Sequence, residues 1–125
     1  MKEQTIEVLR ETRDLLSETE RWCRGAAAVM PLSSYLVVGE WETCAPADDH
    51  ACKWCLTGAI RCVMRNRHDD ELLQRCFWAL NDTLSIVTEN SVEETLQRWN
   101  DNQRRVHADV LCLLDTTITN VERSR

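Results

Sequence analysis

Apolar residues recur at helical spacing along most of the chain. Val8/Leu9, Leu15/Leu16 and Trp22/Cys23 repeat every seven residues, with Ile6 widening the stripe and charged residues between. This predicts a first helix from about Glu3 to Cys23, with Glu7–Arg10 and Glu20–Arg24 at supportive spacing and Gly25 as the stop. A second helix is expected from about His50 to Asn66, opened by Asp48 or Asp49 as N-cap. Ala51, Cys55, Ala59, Cys62 and Val63 form its inner stripe, and Gly58 within it suggests close approach of another helix. A third helix starts at Asp69 or Asp70 and turns Leu72, Leu73, Cys76, Phe77 and Leu80 inward. Ser91-Val92-Glu93-Glu94 matches a capping box, in which serine and glutamate satisfy the first free N–H groups of a helix. The helix it opens buries Val92, Leu96 and Trp99. After Asn100-Asp101-Asn102 a last helix carries Val106, Val110, Leu113, Leu114 and Val121.

The three glycines and two prolines all lie between Gly25 and Gly58. The remainder of the chain therefore reads as helices joined by short polar links. Residues 26–47 are the irregular part: Ala26 to Met30 extends a helix as far as Pro31, and Tyr35-Leu36-Val37-Val38 suits a brief extended stretch. A loop of that length in a small domain is as a rule functional or mobile, and the sequence leaves the choice open. The expected fold is all-α: a compact single domain over residues 1–125, a bundle of about five helices with an irregular segment after the first.

Composition narrows the function classes. A chain of 125 residues with 43% apolar and 29% charged side chains can bury a core and does not read as disordered. No apolar run approaches the ~20 residues that span a bilayer. The net charge of -6, with no basic stripe, disfavours a nucleic-acid polymer as partner, because phosphate neutralisation supplies most of such affinity. The opening MKEQTIEVLRETRD is charged and periodic, unlike a targeting peptide. The seven cysteines are accordingly expected as free thiols in a cytoplasmic setting, not as a disulfide frame. Of fifteen basic residues only Lys2 and Lys53 are lysine. Guanidinium suits planar anions, and codon bias accounts for the same ratio without function.

Three constellations have the ingredients of chemistry. Cys44, Cys52 and Cys55 beside His50 could ligate zinc through thiolate and imidazole, though cysteine is more commonly a small buried hydrophobe. Cys55 at a helix start could be a nucleophile with His107 as base, since a helix N-terminus lowers a thiol pKa. Trp99, Asn100, Asp101, Arg104, Arg105, His107 and Asp109 gather an indole, an amide, carboxylates, guanidiniums and an imidazole at one helix–helix corner. Such a set can stack a base and hold phosphate or ribose, and it can equally be a capped, salt-bridged corner. Trp22-Cys23 and Trp54-Cys55 also echo one another, an echo too short to define a repeat.

Trp22-Cys23-x-Gly25, Trp54-Cys55-Leu56-Thr57-Gly58-Ala59-Ile60, Trp99-Asn100-Asp101 and His107-Ala108-Asp109-Val110, in that order, resemble a family of small proteins of unknown function found in phages and in bacteria including actinobacteria. The resemblance runs from about Leu9 to Ile118. It implies an accessory protein of the cytoplasm (the host cytoplasm if phage-encoded). The leading expectation is a non-enzymatic phage counter-defence protein that sequesters a small nucleotide-derived signal, without cofactor or resident metal, and assembles as a homo-oligomer. Trp54 and Trp99 would stack or wall the ligand, Arg104 and Arg105 would meet phosphate, and Asn100, Asp101 and His107 would complete the site. The alternatives are an inhibitor that contacts a host protein directly and a cysteine-dependent enzyme using Cys55.

Overall fold

The computed structural model describes residues 1–32 and 40–124. The expected extended stretch at Tyr35–Val38 lies outside them. Five helices form the body: α1 (Lys2–Leu15), α2 (Leu56–Val63), α3 (Asp70–Leu84), α4 (Val92–Asp101) and α5 (His107–Arg123). Three short strands, β1 (Ala28–Pro31), β2 (Trp41–Thr43) and β3 (Lys53–Trp54), make an antiparallel sheet in the order β2-β1-β3. The protein is thus mostly helical but not all-α, which corrects the sequence-based fold class.

The helical half follows the hydrophobic pattern. Asp69 caps α3 by accepting from the Leu72 N–H at 3.0 Å, and Ser91 caps α4 by accepting from Glu94 N at 3.1 Å. Leu72, Leu73, Cys76, Phe77 and Leu80 all face inward and join Val8, Leu9, Leu56, Ile60, Leu96, Val110 and Leu114 in one buried cluster. One inward assignment changes, and others, Val63, Trp99 and Val121 among them, are only partly buried against the core. Val106 is exposed because it is the N-cap of α5, where its N–H donates to the Asp109 carboxylate at 3.0 Å.

The sheet displaces the ends of the first two expected helices. Helix α1 stops at Leu15, eight residues before Cys23; a 3-10 turn (Thr19–Arg21) follows, and Trp22 is extended. Trp22 forms a parallel bridge with Trp54, and the Cys23 N–H donates to the Trp54 carbonyl at 3.1 Å. Those tertiary partners outweigh the continuing heptad, which is why periodicity overran the helix. Residues Ala28–Pro31 form β1 instead of extending a helix, and Lys53–Trp54 pair with it. Asp48 does cap, but it caps a turn: its carboxylate accepts from His50 N at 2.8 Å. The true N-cap of α2 is Cys55, whose sulfur accepts from Gly58 N at 3.3 Å.

Gly58 marks a close approach, though of a strand lead-in and not of a helix. A Cβ placed there would lie 1.8 Å from the Ala27 carbonyl oxygen. That same carbonyl accepts from Cys55 N at 3.1 Å, so the backbone before β1 is fastened to the start of α2 where only hydrogen fits.

Candidate functional site

The turn between α4 and α5 meets the segment around residues 22–25, and Asn100 is the joint between them. Asn100 is fully buried. Its Oδ1 accepts from the Trp22 indole N–H at 2.8 Å and from Leu56 N at 3.0 Å. Its Nδ2 donates to the Cys23 carbonyl at 3.1 Å and to Asp101 Oδ1 at 3.0 Å. Every hydrogen-bonding position of the amide is taken. Asp101 Oδ1 also accepts from Gly25 N at 2.9 Å, where Gly25 sits at φ +82°, a left-handed backbone that glycine adopts without strain.

His107 and Arg24 complete the same junction. The Leu16 carbonyl can only accept, so His107 Nε2 carries the proton donated to it, and Nδ1 lies within hydrogen-bond distance of the Thr19 hydroxyl at 3.3 Å. The Arg24 guanidinium donates to the carbonyls of Asn102 and Gln103, at 3.2 and 2.8 Å, in the turn that follows α4. Trp54 is buried on the other side of the bridge, with its indole N–H on the Pro46 carbonyl at 3.0 Å. Asn100, Asp101, His107 and Trp54 are therefore engaged in holding the chain together. The echo between Trp22-Cys23 and Trp54-Cys55 is a physical pairing, the two dipeptides lying side by side in the parallel bridge.

Trp99 and Arg105 face outward from this joint. The Arg105 guanidinium carbon lies 3.9 Å from the centroid of the Trp99 ring, and Arg105 Nε donates to the Trp99 carbonyl at 2.9 Å. Cation–π stacking and the Nε bond together fix the plane of the fork. Among the described residues no carboxylate or carbonyl receives its two terminal nitrogens. They border a recess of about 290 Å³ between α4 and the residues after α3. Arg98, Asn102, Thr95, Glu89, Val87 and Ile86 line it as well, and the Glu89 carboxylate is neutralised by Arg98 at 3.1 Å. Asn102 Oδ1 is occupied by Arg104 N at 2.9 Å, which leaves its amide NH2 as a further donor. Arg104 is exposed and does not line the recess. Of the seven sequence-predicted residues, the recess collects Trp99 and Arg105. Sequence reasoning missed Arg98, Asn102 and Val87, whose contribution depends on how residues 85–91 fold back over α4.

The cysteines are not arranged for either sequence-based alternative. Cys55 is buried, its sulfur is committed to the Gly58 N–H and the Thr57 hydroxyl, and burial raises its thiol pKa. Burial and the neighbouring Cys55 push Cys23 up to about 12, and burial pushes Cys76 to about 12. Cys55 and His107 share no bond; each is tied to different groups. Cys52 is exposed with its thiol on the His50 carbonyl, and among the described residues no three Cys, His, Asp or Glu side chains gather as a metal site.

A model of the family of unknown function DUF6197 matches residues 1–120. The chain belongs to that family. Neither the curated proteins nor the solved structures provide a match to this DUF6197 chain. Among its described residues no helix is long and apolar enough to cross a membrane.

Proposed function

We propose that this protein binds and sequesters a small anionic ligand with a flat moiety, of the nucleotide class, in the recess bounded by Trp99 and Arg105. The observation that supports the reading is the Arg105 guanidinium, laid on the Trp99 indole and fixed through Nε while its terminal nitrogens have no acceptor among the described residues. A fork held in one plane loses little freedom on meeting phosphate or carboxylate, so its two parallel N–H bonds are available at low entropic cost. Arg98 and the Asn102 amide add donors, while Val87 and Ile86 supply an apolar wall for a base.

Calorimetric titration with AMP, GMP and inorganic phosphate tests it. Saturable binding of a nucleoside monophosphate is expected, stronger than that of phosphate alone. Arg105→Ala should weaken it by more than about tenfold, while Arg104→Ala leaves it unchanged. Equal losses in the two variants, or no binding to the wild type, would overturn the proposal.

A further inference from the structure

The outer face of α3 carries a second feature, which shares no lining residue with the recess. Positions 72, 73, 76, 77 and 80 are buried, so Glu71, Gln74, Arg75, Trp78 and Asp82 stand on the opposite, exposed stripe, with Ala79 partly covered. Trp78 is 46% exposed. Together with Lys2 and Val121 these residues line a groove of about 650 Å³ between α3 and the chain termini, the largest of the surface recesses described. An indole left in water beside an arginine is the composition of an interface centre.

We infer that this face is the contact between two copies of the chain, related by a two-fold axis with their α3 helices antiparallel. The charges specify the occupant. Arg75 stands three residues before Trp78, and Asp82 stands three residues after Ala79. When each Trp78 packs over the small Ala79 of the other copy, each Arg75 falls opposite the other copy's Asp82. One surface patch thereby complements itself, as a two-fold contact requires. Within the chain Arg75 reaches Glu71 at 3.2 Å, while Asp82 has no cation partner among the described residues. The second copy supplies that cation twice, and Arg75 is left between two carboxylates. The face is close to neutral, Lys2 and Arg75 balancing Glu71 and Asp82, so a chain of net charge -6 meets its copy there without a like-charge patch.

Sedimentation equilibrium over a range of concentrations tests the inference on the full chain. The wild type should reach twice the 14.5 kDa chain mass. Trp78→Ala should shift it toward monomer. Arg75→Glu alone sets two carboxylates against each other at both ends, and Asp82→Arg alone sets two guanidiniums. Each should weaken self-association at least about tenfold. Mixed in equal amounts, the two variants recreate both complementary pairs and should form a heterodimer that neither forms alone. Helical circular dichroism should be the same in all, since the three positions are exposed. A monomeric wild type, single variants that dimerise as before, or a mixture that stays monomeric would each overturn the inference.

Discussion

The Trp22 indole N–H donates to the side-chain oxygen of Asn100 at 2.8 Å, across 78 residues of sequence. The bond joins the 3-10 turn after α1 to the end of α4, and the same oxygen takes the first N–H of α2. A residue that sequence reasoning placed in a ligand site is thus the fastening between three elements. The proposed function places recognition on its outward-facing neighbours Trp99 and Arg105.

Removing the Asn100 amide should be costly. Asn100→Ala leaves the Trp22 indole N–H, Leu56 N–H and Cys23 carbonyl without this partner in a buried setting, at roughly 1–3 kcal/mol per unsatisfied group. A loss of about 3 kcal/mol or more is expected in denaturant unfolding. Asn100→Asp keeps the acceptor but loses the donor to Cys23 and adds a charge beside Asp101, so it should also destabilise. A change below about 0.5 kcal/mol, the usual range of an exposed substitution, would contradict the role.

Gly58→Ala is expected to be far more damaging than an ordinary helix substitution. Alanine normally improves a helix by up to about 1 kcal/mol over glycine. Here its Cβ would meet the Ala27 carbonyl at 1.8 Å, and the obstacle is backbone that itself bonds to Cys55 N. The expected outcome is a net loss above about 2 kcal/mol, read from thermal or denaturant unfolding. A variant as stable as wild type would show that this approach is not tight.

Thiol reactivity should separate the exposed cysteines from the buried ones. Cys52 and Cys112 are exposed and should react with a colorimetric disulfide reagent at neutral pH, whereas Cys23, Cys55 and Cys76 should react only on unfolding. Mass mapping of a brief alkylation distinguishes these groups. Preferential labelling of Cys55 would restore the reading of a cysteine-dependent enzyme.

The same burial sets a pH dependence. Cys23 and Cys76 ionise at about 12 in the folded chain against an ordinary value near 9. Between these values the unfolded chain has released protons that the folded chain retains, so the unfolded state is favoured as pH rises. The contribution is intact below pH 9 and is lost progressively toward pH 12. The urea midpoint should therefore fall from pH 8 to pH 10, and Cys76→Val should reduce the fall. A midpoint independent of pH over that range would contradict the assignment.

The helical half was legible because its signals are local. Asp69 and Ser91 cap the helices that their positions announce, and the stripe from Leu72 to Leu80 is buried as its spacing requires. The sheet was not legible because it is built from very short strands, paired over only two or three residues. Trp22 continues the heptad of α1 yet bridges Trp54, and Lys53–Trp54 gives two residues of strand inside what reads as a helix. At the corner between α4 and α5, the sequence did not fix which way each side chain points. A helix turns neighbours to different sides, so Trp99 opens to the recess while Asn100 points into the joint. That division depends on where α4 ends, which the run Asn100-Asp101-Asn102 does not fix. The outer stripe of α3 was present in the same periodicity that revealed its inner one.

The indole N–H signals of the five tryptophans offer the most direct measurement of the central claim, that recognition lies at Trp99 and Arg105 while Asn100 holds the fold. In a nitrogen–proton correlation spectrum titrated with AMP, the Trp99 indole and the Arg105 Nε–H should shift with saturation. The Trp22 and Trp54 indoles, bonded to Asn100 and Pro46, should stay in place. Shifts centred on Trp22 and Trp54 with Trp99 unmoved, or a spectrum that does not change, would contradict the account.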